Sequence, residues 1–424
     1  MKFEKKDITE LIPAEYNPRK DLKPGDEEYE KLKKSLEQFG YVEPIIWNGG
    51  TGHVVGGHQR LKVLIDMGMT EADCVVIDMD EEKEKALNIA LNKISGDWDR
   101  EKLALLITDL QGSDLDVSLT GFDEDEIADL FASQDGADVK DDDFDLTAAL
   151  EKASFVERGD LWLVGRHRLY CGDATNGDDV KTLMDGKKAN LIVTDPPYGV
   201  SFKSSSGLTI QNDSMKGDDF YTFLFESFKN MADQLENGGS AYAFHADTEG
   251  LVFRKAFIDA GFHLAGVCIW VKNSLVLGRS DYQWQHEPVL YGFLQNGKHR
   301  WYSDRKQTTI WNYDKPKKNS DHPTSKPLDL LAYPIGNSSQ ENGIVLDTFG
   351  GSGSTMMACE QMNRICCMME LDEKYASVIL RRYAEDTKDE ADIFCIRDGS
   401  RIPYADLVKE VEGRDVQNDA WKSV

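Results

Sequence analysis

Along the chain the apolar positions change period several times, and each change marks an element. Between Glu27 and Phe39 the apolar residues Tyr29, Leu32, Leu36 and Phe39 have the spacing of one helix face, with Gly40 placed to end it. Pro44-Ile45-Ile46-Trp47 and His53-Val54-Val55 read as two strands, joined by the turn Asn48-Gly49-Gly50-Thr51-Gly52. Gly56-Gly57-His58-Gln59-Arg60 leads into a helix with Leu61, Val63, Leu64 and Met67. Residues 81–131 keep helical spacing at Ala86, Leu87, Ile89, Ala90 and Leu91, then at Leu103, Leu105 and Leu106. Leu161–Gly165 and His167–Tyr170 alternate like a hairpin. From there short buried-strand patterns (Leu191–Val193, Ala241–Phe244, 264–271, Ile344–Leu346, Ile365–Met369) alternate with helices over Asp219–Leu235 and 251–260. Gly238-Gly239 would end the first of those helices. The alternation predicts an α/β fold with a doubly wound sheet.

Charge sharpens this division. The chain has 424 residues and a formal net charge of −27. Residues 1–150 hold 36 acids against 17 bases, a net of −19, which leaves −8 for the other 274. Asp109–Asp145 alone carries fourteen acids and one lysine, a run that repels itself and stays solvated. The expected organisation is an N-terminal domain with a helical extension over 1–132, an acidic linker over 133–155, and an α/β domain over 156–424. The acidic total therefore does not exclude DNA as a partner. The seven cysteines are scattered without a C-x-x-C pair, so no metal site or disulfide framework is expected. No apolar stretch follows Met1–Lys6 and no run reaches membrane-spanning length, so no signal peptide and no membrane partner are expected, and the cytoplasm is the default.

The candidate chemistry centres on Asp195-Pro196-Pro197-Tyr198, at the end of the apolar run Leu191–Val193. Two prolines cannot continue a sheet and leave carbonyls free as acceptors. A carboxylate, carbonyls and a ring together suit a planar substrate bearing an NH2 group. A strand-end turn that happens to hold two prolines is the bland alternative. The second feature is the strand Gly343–Asp347 running into Thr348-Phe349-Gly350-Gly351-Ser352-Gly353-Ser354-Thr355 and a helix. Glu370 lies about twenty residues beyond the glycines, where a ribose diol would be held. Neither G-x-G-x-x-G nor G-K-[ST] is present, so the spacing indicates a ribose-bearing ligand without requiring a pyrophosphate. Cys171-Gly172-Asp173 ends a predicted strand; Asp173 could face a ligand or cap the next helix. In Gln295–Lys318, Lys298, Arg300, Arg305, Lys306, Lys315, Lys317 and Lys318 are interleaved with Trp301, Tyr302, Trp311 and Tyr313. Such a mixture suits phosphates and bases, or else an amphipathic strand pair covering the domain edge. Glycines entering a helix beside Arg60 would favour phosphate, or form only a tight turn.

These motifs carry two resemblances. Asn17-Pro18-Arg19, the helix, the two strands and Gly56–Arg60 resemble the α+β N-terminal domain of ParB-like proteins, shared with sulfiredoxin, over about residues 5–95. The resemblance implies a nucleotide phosphate at Gly57, His58 and Arg60. No helix-turn-helix module is read after it. The Asp195–Tyr198 motif, the glycine turn and Glu370 together resemble the β group of DNA amino-methyltransferases over about 160–388, with the catalytic motif ahead of the cofactor loop. That resemblance implies a Rossmann-like sheet with permuted motif order and S-adenosylmethionine (AdoMet) as cofactor. It implies catalysis by Asp195, Pro196, Pro197 and Tyr198. It implies cofactor contacts from Asp173, Thr324, Lys326, Asp347, Phe349, Gly351, Ser352, Gly353, Thr355 and Glu370. Trp270-Val271-Lys272 and His286–Tyr291 match the part shaping the target-base pocket. Asp rather than Ser before the prolines favours adenine N6 in double-stranded DNA over cytosine N4. From another class, a DNA-binding partition or packaging adaptor with an inert methyltransferase fold is the competing reading. The pairing of modules is associated with phages, mobile elements and restriction-modification, and is compatible with a homodimer and with a nucleotide on the N-terminal domain.

Overall fold

A computed structural model of the chain describes residues 2–40, 43–93, 98–111, 117–122, 126–127, 130, 139–200, 213–276, 281–294, 299–303, 306–314 and 325–411. It divides into two compact units, 1–133 and 134–424.

The first unit is a five-stranded sheet with helices. Its strands are β1 (Lys2–Asp7), β2 (Ile12–Pro13), β3 (Ile45–Asn48), β4 (His53–Gly56) and β5 (Glu71–Ile77), in the spatial order β1-β5-β3-β4-β2. The predicted helix runs from Glu27 to Phe39, as its apolar face requires; it buries Tyr29 and Leu36 and ends at Gly40. The predicted hairpin of β3 and β4 is antiparallel. A buried carboxylate pins its turn. Glu84 accepts hydrogen bonds from Tyr16 (2.6 Å), Asn48 (2.5 Å) and Thr51, and lies 3.0 Å from His53 Nδ1. Burial pushes this carboxyl up, but the surrounding donors outweigh it and hold it below its usual range.

The second unit is one eleven-stranded sheet. Its strands are β6 (Leu161–Val164), β7 (His167–Cys171), β8 (Ala189–Thr194), β9 (Leu235–Phe244), β10 (Phe262–Val276), β11 (Trp284–Leu294), β12 (Ile310–Asn312), β13 (Ile344–Asp347), β14 (Ile365–Glu370), β15 (Ile393–Arg397) and β16 (Ser400–Pro403). The order is β12-β10-β11-β9-β8-β13-β14-β7-β6-β15-β16. The central five strands, β9-β8-β13-β14-β7, are parallel. Both faces are covered, so these strands alternate between two cores: β13 sends Val345 to one and Leu346 to the other, and β14 does the same with Met368 and Cys367. The chain leaves β8 for β9 on one side, and leaves β13 for β14 on the other. The gap between the carboxyl ends of β8 and β13 is thus the switch point, where open α/β sheets bind ligands.

Two expectations are corrected. Gly238-Gly239 does not follow a helix end; the helix stops at Gln234 and both glycines lie within β9. A Cβ on Gly239 would come within 2.8 Å of the Asn190 carbonyl, so close approach to β8 selects glycine there. The acidic segment is not solvated throughout. Residues 139–155 belong to the second unit and pack into it, with Phe144, Leu146, Ala149 and Leu150 against Val378. Asp142 meets Arg382 (2.6 Å), whose guanidinium also donates to the Ser352 carbonyl (2.9 Å) and Ser354 Oγ (3.1 Å). Asp141 accepts from the Leu328 N–H (2.7 Å). Charge density alone concealed these pairings. Because the Asp142–Arg382 pair is almost fully buried, Asp142→Ala is expected to destabilise the second unit by about 3 kcal/mol by stranding a guanidinium, read as a lower unfolding midpoint in urea.

Candidate active site

Thr194 and Asp347 end neighbouring parallel strands, and their side chains meet. Thr194 Oγ1 donates to Asp347 Oδ1 (2.9 Å), Thr355 Oγ1 to Oδ2 (2.6 Å), and the Phe349 N–H to Oδ1 (3.1 Å). One carboxylate therefore ties the end of β8 to the turn after β13 and to the helix Ser354–Gln361 beyond it. Burial pushes Asp347 up to about 7 despite these donors.

The turn itself needs its glycines. Gly351 and Gly353 have φ of 52° and 85°, in the left-handed region. A Cβ on Gly350 would sit 2.8 Å from Met368 on β14. Arg382 holds Ser352 and Ser354 from behind. Gly351 N–H donates to Glu370 Oε2 (2.7 Å), and Asp372 N–H to Glu370 Oε1 (2.9 Å). Burial outweighs both donors and pushes Glu370 up to about 7.

Asp195 and the glycine turn line one cleft, open to solvent, at the switch point of the sheet. Its lining includes Asp195, Phe244, Lys326, Asp347, Phe349, Gly350, Gly351, Ser354 and Thr355. Asp173, Ser352, Gly353 and Glu370 stand outside this lining. Asp173 and Glu370 nevertheless follow neighbouring strands, since Cys171 of β7 pairs with Glu370 of β14. Asp173 folds an Asx turn onto Thr175 (3.0 Å to its N–H) and lies 3.8 Å from Arg158.

Around Asp195 the structure gathers Tyr198 and Lys326 with two residues, Glu287 and Lys272, that the sequence reading placed only within segments shaping the target-base pocket. Tyr198 Oη donates to Asp195 Oδ1 (2.5 Å) and approaches Glu287 Oε2 (3.2 Å). Lys326 Nζ donates to Asp195 Oδ2 (2.5 Å) and lies 3.4 Å from Glu287 Oε2. Lys272 binds the other Glu287 oxygen. Burial pushes Glu287 up, but Lys326 and Lys272 outweigh it and hold it at about 2. Burial pulls Lys326 down, yet Asp195 and Glu287 raise it overall. Ionisable residues inside apolar strand patterns, Lys272 in β10 and Glu287 in β11, were the available signal.

Other predicted residues fare differently. Thr324, Lys298, Arg305, Lys315, Lys317 and Lys318 lie outside the described residues. Arg300 is about a third exposed and already paired: its guanidinium meets Glu236 (2.7 Å), and its backbone N–H bonds the Gly238 carbonyl (2.9 Å). The aromatics between the lysines also turn inward. Tyr302 and Trp311 are buried, and β12 pairs with β10 at the sheet edge. Amphipathic edge packing explains the described part of this segment. In the first unit Gly57 adopts φ 90° at the start of the helix His58–Asp66, as the turn requires. Arg60 is engaged by Glu43 and by the Glu43 carbonyl (2.5 Å). Burial, then the charge of Arg19, pulls His58 down to about 4, and its Nε2 has no hydrogen-bond partner. Among the described residues no group of three or more His, Cys, Asp or Glu could hold a metal, and no helix is long and apolar enough to cross a membrane.

Three family profiles match stretches of the chain. A family profile described as DNA methylase (N6_N4_Mtase) matches residues 189–381, and one described as ParB N-terminal domain matches 2–93. A third, described as ParB-methyltransferase HTH domain, matches 101–158, which corrects the reading that no helix-turn-helix module follows. The helical spacing at Leu103, Leu105 and Leu106 was the visible part of that module. Among curated relatives, DNA adenine methyltransferase YhdJ of Escherichia coli (strain K12) is 26% identical over 259 residues, covering 51% of this chain and 86% of its own. Type II methyltransferase M2.MboI of Moraxella bovis is 25% identical over 236 residues, covering 49% and 85%. Among solved structures, the M1.HpyAVI–SAM complex is 23% identical with a TM-score of 0.39, covering 50% of this chain and 98% of that one. The chain carries a DNA methylase domain of the N6/N4 class, preceded by a ParB N-terminal domain and a ParB-methyltransferase HTH domain.

Proposed function

We propose that the protein transfers the methyl group of AdoMet to the exocyclic N6 of adenine in double-stranded DNA. The observation that carries this reading is the Asp195 carboxylate in one cleft with the glycine turn. Its residues fit AdoMet: Asp195 lines the cleft where a sulfonium would sit, and Glu370 lies beside the turn for a ribose diol. Bound there, AdoMet supplies an electrophilic methyl group on sulfur. An aromatic amine is a poor nucleophile because its lone pair is delocalised into the ring. Asp195 and the Pro196 carbonyl accept the amine hydrogens and draw the nitrogen towards tetrahedral geometry. Asp195 would stabilise the positive charge that develops on the target nitrogen as it takes the methyl group, and would receive the proton that leaves it. Positioning supplies much of the remaining acceleration. The target base must leave the duplex to reach Asp195, and Tyr198, fixed through its hydroxyl by Asp195 and Glu287, offers a ring to stack on it.

The adenine assignment rests on Asp at 195 and on the relative named as an adenine methyltransferase. Digesting DNA methylated by the protein to nucleosides tests it. N6-methyladenine is the expected product; N4-methylcytosine alone would overturn the adenine choice. No modified base, with no AdoMet bound, would favour the inert-adaptor reading.

Glu370 gives the cofactor site a pH dependence. Its ionised carboxylate accepts hydrogen bonds from hydroxyls better than its acid form does, and it titrates at about 7. Affinity for AdoMet is therefore expected to rise between about pH 6 and 8, approaching tenfold per unit below the midpoint. Calorimetry on Glu370→Gln should show a flatter profile; an unchanged slope would remove Glu370 from the site.

DNA contact from the basic segment is kept for Lys298, Arg305, Lys306, Lys315, Lys317 and Lys318, without Arg300. Each lost phosphate contact is expected to lower the slope of log affinity against log salt by about 0.9. Alanine variants with an unchanged slope would exclude the segment. In the N-terminal domain, nucleotide phosphate at Gly57 and His58 requires Arg60 to leave Glu43. Equilibrium dialysis against labelled nucleoside triphosphates, with Glu43→Ala expected to bind more tightly, tests that second site.

A further inference from the structure

Among the described residues lining the cleft, Lys326 is the cation, and it is placed between two anions. Its side chain is only 7% exposed. Asp195, Lys326, Glu287 and Lys272 form an alternating row of charges with no net charge. The ring of Phe244 lies 5.2 Å from the Lys326 ammonium, and that of Tyr198 lies 5.6 Å from it. In this arrangement Asp195 is already neutralised, so a positive charge developing on a target nitrogen would meet an ammonium as well as a carboxylate.

The 3.4 Å separation from Glu287 offers the way out. Shortening it to a charged hydrogen bond of about 2.8 Å needs a shift of only about 0.6 Å. Tyr198, whose hydroxyl already spans Asp195 and Glu287, permits that shift without losing an acceptor. A cation entering the cleft repels Lys326 and competes for Asp195; a neutral molecule does neither.

We propose that Lys326 is a charge-sensing positioning residue: a cationic cofactor moves its ammonium from Asp195 to Glu287 and frees Asp195 for the target amine, and the neutral thioether left after transfer lets it return. This rests on the methyl-transfer reading above and goes beyond it. Once Asp195 has passed its proton to solvent, the return of Lys326 to the carboxylate competes with the methylated amine and so favours its release.

Calorimetry on the full chain tests this with two ligands that need no DNA. Sinefungin carries an amine cation where AdoMet has its sulfonium; S-adenosylhomocysteine carries a neutral thioether. Glu287→Gln removes the second anchor, so sinefungin should weaken about tenfold, within the usual range of coupling between sites. S-adenosylhomocysteine should change little, which also shows that the variant folds. Lys326→Gln leaves Asp195 unpaired, so sinefungin should tighten relative to S-adenosylhomocysteine. In the double variant, Glu287→Gln should have no further effect, because it acts through Lys326. Simple addition of the two single effects, or a ligand ratio that neither variant moves, would overturn the proposal while leaving the methyl-transfer reading intact. If the wild-type chain bound neither ligand, that reading would fail and take this inference with it.

Discussion

Asp195→Ala is expected to lower methyl transfer about a thousandfold, the scale of losing one electrostatic contact made at the developing charge. Binding of S-adenosylhomocysteine should stay within about threefold of wild type, because the glycine turn and the Asp347 clamp do not use the Asp195 side chain. The variant strands Lys326 only partly, since Glu287 remains as its counter-ion. Stability should therefore fall less than for a lone buried ammonium. Asp195→Asn keeps the shape but donates where it should accept, so it should lose nearly as much rate. Single-turnover transfer to DNA, measured beside ligand affinity, separates the two effects. An alanine variant with near wild-type turnover would remove Asp195 from the chemistry.

Most of the central sheet was legible because its strands are buried on both faces and read as short apolar runs. The helix Glu27–Phe39 was legible to its ends because an amphipathic face and a capping glycine coincide. What was missed shares one cause: stabilisation that comes from partners far away in sequence. β1 is Lys-Phe-Glu-Lys-Lys-Asp, with no apolar alternation, and exists through its ladder with β5. The acidic residues Asp141 and Asp142 looked solvated until their acceptors met Leu328 N–H and Arg382. The same holds at the candidate site. Asp195, the glycines and Glu370 were visible as motifs, whereas the Lys272–Glu287 pair became significant only when β10 and β11 proved to be neighbours. The aromatic and basic segment erred in the opposite direction: composition pointed outward, but Tyr302 and Trp311 face the core.

Asp347 separates the scaffold from the chemistry, and Asp347→Ala is expected to be the most damaging change to the scaffold. It orphans Thr194 Oγ1, Thr355 Oγ1 and the Phe349 N–H. Each buried donor left without a partner costs about 1–3 kcal/mol, so the loss should reach several kcal/mol even if the three are not additive. Because the carboxylate joins β8 to the glycine turn, affinity for S-adenosylhomocysteine should fall with it, by about a hundredfold if the lost contacts amount to roughly 3 kcal/mol. Asp347→Asn behaves differently. It keeps an acceptor for the Phe349 N–H, and the threonine hydroxyls can rotate to accept from its NH2. It also removes a burden: burial pushes the carboxyl up to about 7 in the folded chain, from an ordinary value of 3.8. Between those values the folded state holds a proton that the unfolded chain has lost, so stability falls as pH rises from about 4 to about 7 and is level above. Glu370, also at about 7, contributes the same sign. Asp347→Asn should therefore halve the loss of stability across that interval and be at least as stable as wild type at pH 8. Urea unfolding at pH 5 and pH 8 measures it directly; an asparagine variant that unfolds as readily as the alanine one would mean that the negative charge, and not the hydrogen-bond geometry, holds the two strand ends together.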